Sequence, residues 1–200
     1  MASPFVYLAS KSPRRRELLT QVGVAHQVFA LDAASEVDET PRPGEAPVEY
    51  VRRVARDKAE AGWDKVRHQG LPAHPLLAAD TTVAVDGRIL GKPVTADAAQ
   101  DMLRTLSGRT HQVYTAVAVA WNSIIETALS ESNVTMRALS DAEIARYVNT
   151  GEPMDKAGAY AVQGRAALFI ERIEGSYSGV MGLPLFETAN LLSGAGLVLL

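Results

Sequence analysis

Several short stretches of this sequence place ionisable and hydroxyl side chains at turns, where they could do chemistry. The first is Ala9-Ser10-Lys11-Ser12-Pro13-Arg14-Arg15. Ser12-Pro13 has the form of a helix start, with Ser at the N-cap and Pro at the first helical position. A helix N-terminus carries partial positive charge and unpaired N–H groups. Acidic residues are favoured there, yet this first turn holds Arg14, Arg15 and Arg16. Each such cation costs roughly 0.3–1 kcal/mol against the helix dipole. A bound phosphate would reverse the sign, taking the free N–H groups and the guanidinium forks together. Taken alone, a solvated basic helix face fits the run as well; Ser10 and Ser12 favour phosphate.

Other stretches add different groups. In Ala79-Asp80-Thr81-Thr82 a carboxylate closes an apolar segment. A buried carboxylate is costly unless paired or bound to metal, and strand ends of α/β sheets collect sites. A turn-capping Asp is an equal alternative. Gly87-Arg88-Ile89-Leu90-Gly91-Lys92-Pro93 is not a P-loop: its glycine spacing is short, and Pro93 stands where Ser or Thr is required. Lys92 remains a candidate phosphate contact. The stretch from Gly151 to Gly164 mixes small residues with Asp155, Lys156 and Gln163. Small residues allow close approach of a ligand, and an amide offers donors and an acceptor to a base edge. An ordinary loop with a surface ion pair also fits. Residues 175–184 read as glycine-bounded turns leading into a Pro-started helix. His26, His68, His74 and His111 lack metal spacing, and no Gly-x-Ser-x-Gly elbow is present.

These residues need a scaffold, and periodicity supplies one. Residues 5–9 read as a buried strand, followed by a helix from 13 to about 22 with Gly23 at its cap. Residues 26–30 read as a short strand and 32–47 as a loop holding Glu36, Asp38 and Glu39. Helical spacing of Val51, Val54, Ala55, Lys58 and Ala59 predicts a helix from about 48 to 62, then a loop over 63–75. A strand begins at 76. Strands at 82–85 and 88–90 flank Asp86-Gly87, a two-residue hairpin signal. Thr95 caps a helix to about 106. Long strands follow over 111–121 and 127–137, and a capping box at Ser140–Glu143 starts the next helix. Residues 167–173 read as a strand and 184–192 as a final helix. The fold class is α/β, a mixed sheet with helices on its faces.

Composition narrows the function classes. The chain has 200 residues, net charge −3 and no cysteine, which excludes disulfides and thiol chemistry. One domain spanning residues 1–200 is expected. Mild acidity argues against a nucleic-acid partner but not against a single nucleotide. The apolar run at 5–9 is short and its arginines follow it, and no stretch approaches the length of a membrane span. A cytoplasmic protein with no membrane partner is expected.

Taken in order, these segments resemble the Maf family. The matching pieces are residues 8–19, Ala55-Arg56-Asp57-Lys58-Ala59, Ala79-Asp80-Thr81-Thr82-Val83, Gly91-Lys92-Pro93, residues 106–111, residues 155–160 and Gly182-Leu183-Pro184. The resemblance implies an elongated mixed β-sheet flanked by helices, with two lobes and a central cleft. It implies metal-dependent hydrolysis of a nucleoside triphosphate to the monophosphate and pyrophosphate, with Mg²⁺ or Mn²⁺. By position, Asp80 would be the general base and would touch the metal. Ser10, Ser12, Arg14, Arg15, Lys58 and Lys92 would hold the triphosphate. Glu39 would help with the metal, with Glu36 and Asp38 as alternatives. Arg14, Thr81 and Gln163 look like the subgroup acting on dTTP, UTP and modified pyrimidine analogues, a house-cleaning role, rather than the sister subgroup acting on 7-methyl-GTP. A homodimer is a family-level expectation. The competing readings are a non-catalytic nucleotide-binding regulator of septum formation and a phosphatase that releases single phosphates.

Overall fold

The computed structural model describes residues 5–31, 37–122 and 124–199. Its strands form one mixed sheet in the order β2 (His26–Val28), β1 (Val6–Leu8), β3 (Leu76–Val85), β5 (Thr110–Trp121), β6 (Ile124–Met136), β7 (Ile170–Glu174), with β4 (Arg88–Leu90) paired to β3 off this path. The spine is β3 (Leu76–Val85), an apolar and β-branched run free of Gly and Pro. The sequence suggested that Asp80 closes a strand segment. Instead the strand continues through it, and Asp80 pairs by backbone with Ala116. A strand ladder is built from main-chain groups, so one polar side chain does not stop it.

Along one side, β3 pairs throughout with antiparallel β5 (Thr110–Trp121), from Leu76↔Ala120 to Ala84↔Gln112. Its other side is shared. Parallel β1 (Val6–Leu8) covers the first part, with Leu8 opposite Leu77. Antiparallel β4 (Arg88–Leu90) covers the last part, with Leu90 opposite Val83. Between them the sheet edge has a notch. Since β1 runs with β3 and β4 against it, the chain leaves both strands into that notch, from opposite ends.

The outer strands are β2 (His26–Val28) beside β1, β6 (Ile124–Met136) beside β5, and β7 (Ile170–Glu174) beside β6. The expected hairpin turn is present: Asp86 and Gly87 have φ of 50° and 74°, the left-handed pair of a type I′ turn.

Helix α2 (Pro47–His68) covers one sheet face with Val51, Val54, Ala55, Ala59, Trp63 and Val66. It outruns its expected end at Gly62. That glycine is a contact point rather than a stop, because a Cβ there would lie 2.8 Å from Leu76 Cδ1. The opposite face is covered by α1 (Pro13–Gln21) and α6 (Leu185–Gly194), through Leu18, Leu19 and Leu192 on Val6, Leu8, Leu77 and Val117. A third cluster fills the far end of the sheet. There α3 (Ala96–Leu106) and α4 (Asp141–Val148) bring Leu103, Leu106, Ile144 and Tyr147 against Val83, Val85, Val113 and Val134. Two lobes result. The polar residues Asp80, Thr81 and Thr82 stand between Ala79 of one cluster and Val83 of another.

Two caps follow the sequence: Thr95 Oγ1 accepts from Ala98 N at 3.1 Å, and Ser140 with Glu143 forms a full capping box, whereas Ser12 holds its N-cap position without a side-chain cap bond. Two local expectations change. The strand expected from residue 167 begins only at Ile170, because Arg165–Phe169 form a 3₁₀ turn in which Glu152 accepts the N–H groups of Arg165 and Ala166. Tyr177–Met181 forms a short helix, α5, where a loop was expected; Ser176 Oγ caps it through Gly179 N at 3.0 Å.

Candidate active site

The notch in the sheet edge opens into a cleft of about 690 Å³. Chain leaving β1 supplies Ser10, Ser12, Arg14 and Arg15 to its lining, and chain leaving β4 supplies Lys92. The stretch of β3 left unpaired at the notch supplies Asp80 and Thr81, α2 supplies Lys58, and the segment before it supplies Glu39. The 3₁₀ turns Glu152–Asp155 and Ala157–Ala159 lead to Gln163 on the far wall. Every residue expected in the site from sequence thus lines one cavity. Arg16 is exposed and lies outside that lining.

Arg15 is anchored rather than solvated. Its Nε donates to Gly182 O at 2.7 Å, Nη1 to Ser10 Oγ at 3.2 Å and Nη2 to Thr81 Oγ1 at 3.4 Å. A guanidinium has five N–H groups, so two remain for a ligand. Burial lowers the pKa of both Arg15 and Arg14, with Asp80 opposing the shift at Arg15 and Asp155 at Arg14. Burying these cations at a helix N-terminus is costly, and an anion between them recovers that cost. The helix offers no acidic residue in its first turn to do so.

Opposite stands a carboxylate pair on one lysine. Lys58 Nζ lies 2.7 Å from Glu39 Oε1 and 2.8 Å from Asp80 Oδ1. The second Asp80 oxygen, Oδ2, is buried and has no hydrogen-bond partner. Burial pushes the Glu39 carboxyl upward, but Lys58, Lys92 and Arg15 outweigh it and hold it below the usual range.

The segment carrying Glu39 is fixed to α2. Arg53 donates to Glu45 Oε1 and Oε2 at 2.6 and 2.8 Å, and to the carbonyls of Asp38 and Thr40, each at 3.1 Å. Tyr50 Oη donates to Glu39 O at 3.0 Å. Asp38 instead spends an oxygen on Thr40 N at 2.8 Å. Of these two acids Glu39 lines the cleft and Asp38 does not; Glu36 lies outside the described residues.

The donor set suits a hard divalent cation. Two carboxylates, one with an unpartnered oxygen, match Mg²⁺ or Mn²⁺ sites completed by water and substrate phosphates. Among the described residues no group of three or more acidic or histidine side chains would hold a metal unaided.

The sequence profile of the Maf-like protein family matches residues 5–195. The chain belongs to that family. This Maf-like chain is 58% identical over 196 residues to the dTTP/UTP pyrophosphatase of Bordetella avium, covering 98% of each. It is 53% identical over 196 residues to the dTTP/UTP pyrophosphatase of Nitrosomonas europaea, covering 96% of this chain and 95% of the relative. The solved Staphylococcus aureus Ham1 protein aligns with 94% of this chain and 96% of its own, at a TM-score of 0.46 and 14% identity.

Some contributors of the Maf-like site escaped sequence reading. Thr115 lies 2.9 Å from Thr81 Oγ1 and donates to Gly179 O at 2.8 Å, tying the cleft floor to α5. A single threonine in the largely apolar run from Val113 to Trp121 was its only signal. Tyr50 and Arg53 sit on the same helix as Lys58, but what they hold in the Glu39 segment is backbone carbonyls, which leave no trace in side-chain pattern. Among the described residues no helix is long and apolar enough to cross a membrane.

Proposed function

We propose that this Maf-like chain hydrolyses nucleoside triphosphates, specifically dTTP, UTP and modified pyrimidine analogues, to the monophosphate and pyrophosphate. The observation that carries the reading is Asp80. One of its oxygens is pinned by Lys58, and the other is buried and free, in a cleft walled by cations. The names of relatives more than half identical over nearly the whole chain support the substrate.

In this reading the triphosphate lies on the N-terminus of α1, held by Arg14, Arg15, Lys92 and the hydroxyls of Ser10 and Ser12. Lys58 neutralises the charge that develops on the phosphate oxygens. Asp80 Oδ2 takes a proton from the water attacking the α-phosphorus; the α–β bridging bond breaks and pyrophosphate leaves with the electron pair. Glu39 and Asp80 would hold Mg²⁺ or Mn²⁺, which supplies charge neutralisation and acidifies water when bound. Arg14, Thr81 and Gln163 set the choice of base, with the Gln163 amide matching the O4 and N3–H of thymine or uracil. A cytoplasmic, homodimeric enzyme of nucleotide-pool cleaning accords with this reading.

The test is pyrophosphate release from a panel of NTPs and dNTPs with Mg²⁺ or Mn²⁺. Turnover led by dTTP and UTP is expected. Orthophosphate as first product, or binding without turnover, would replace this reading with the phosphatase or the regulator. The regulator is the weaker alternative, since a pure binder needs no free buried carboxylate.

A further inference from the structure

Gln163 sits in a tight turn in which Gly164 N donates to Ala161 O at 3.0 Å. Two side chains outside the cleft lining grip this turn from both ends. Tyr147, buried on α4, accepts from Ala161 N at 3.3 Å and donates to Glu152 Oε1 at 2.9 Å. Glu152 in turn accepts from Arg165 N at 3.0 Å and Ala166 N at 3.4 Å. Gly164 makes room for it: a Cβ there would lie 2.3 Å from Glu152 Oε1. Burial, with the adjacent Glu152 carboxylate, raises the Tyr147 hydroxyl's pKa, so it stays a donor at working pH. Three backbone N–H groups, one before Gln163 and two after it, are therefore referred to one tyrosine–carboxylate pair. A flexible amide reads a base only if its backbone is fixed, because its O and N must meet the complementary edge.

We propose that Tyr147 and Glu152 are positioning residues for base selection, acting through Gln163. The proposal rests on the triphosphate reading above, in that Gln163 faces the base. Neither residue touches the substrate. Loosening the turn lets the amide rotate, so recognition of a uracil or thymine over a cytosine edge weakens while phosphate binding persists.

The experiment separates this from turnover. Binding of non-hydrolysable α,β-imido UTP and CTP is measured by calorimetry for the wild-type chain, Tyr147→Phe, Glu152→Gln and Gln163→Ala, and for Tyr147→Phe combined with Gln163→Ala. Wild type is expected to prefer the UTP analogue. Tyr147→Phe should narrow the preference about fivefold, the worth of one buried hydrogen bond. In the Gln163→Ala background the same change should narrow it no further. Hydrogen exchange should quicken at Ala161, Arg165 and Ala166. An unchanged UTP/CTP ratio in Tyr147→Phe and Glu152→Gln, equal narrowing with and without Gln163, or no preference in wild type would each overturn the proposal. A wild type that binds selectively yet releases no pyrophosphate from UTP would sink the enzymatic reading alone.

Discussion

At the residue scale, one carboxylate oxygen distinguishes this cleft from a generic anion site. Asp80→Asn keeps the acceptor facing Lys58 but removes the basic oxygen. Turnover should fall by roughly 10²–10⁴-fold with little change in nucleotide affinity, measured by pyrophosphate release and calorimetry. Glu39 and Asp38 provide a paired comparison. Glu39→Gln should raise the Mg²⁺ or Mn²⁺ concentration for half-maximal rate roughly tenfold, whereas Asp38→Asn should leave it alone, because that side chain is spent on Thr40 N. An equal effect of both would move the metal ligand elsewhere in the segment. Much of this site was legible as residue types. Arginines at a helix N-terminus are an electrostatic anomaly visible in any sequence. The choice between Asp38 and Glu39 was not legible, since it depends on the partner each meets in space, Thr40 N for one and Lys58 for the other.

At the element scale, glycines separate punctuation from packing. Gly62 read as a helix stop because glycine ends helices more often than it continues them. Its real role is contact with Leu76, which no local pattern reveals. Gly62→Ala should cost about 1–3 kcal/mol in urea unfolding, since the Leu76 methyl must move within a filled core. Gly158→Ala should cost more. Its φ is +69° and its Cβ would meet Val83 Cγ1 at 2.9 Å. Equal costs would show that the loop shifts freely. Capping signals transferred faithfully from sequence, at Thr95 and Ser140, because they are satisfied within four residues. The 3₁₀ turn before β7 did not, because its partner, Glu152, is more than a dozen residues away.

At the scale of the whole molecule, acid stability turns on His111. It is fully buried on β5, with Nε2 2.7 Å from Tyr160 Oη and Nδ1 without a partner. Burial lowers its pKa to about 4. The unfolded chain therefore takes up a proton near pH 6.5 that the folded chain refuses until about 4. Stability is complete above 6.5 and is lost as pH falls through that window, by about 2 kcal/mol between pH 7 and 5. His111→Gln does not titrate and should flatten the dependence in chemical denaturation. An unchanged slope would assign it elsewhere. Glu45 and Glu143, each held at about 2, add their loss only below the ordinary carboxylate range. The mixed sheet was readable from strand periodicity; the notch was not, since it arises from two strands sharing one side of a third. That arrangement has a mechanical consequence. The floor of the cleft is a single strand, hydrogen-bonded without interruption to β5 beneath both lobes. The lobes cannot part there like jaws without tearing the ladder. Any widening or closing of the cleft must come from its walls, while Asp80 and Thr81 keep a constant spacing, as graduations on a ruler do when the hand around it opens.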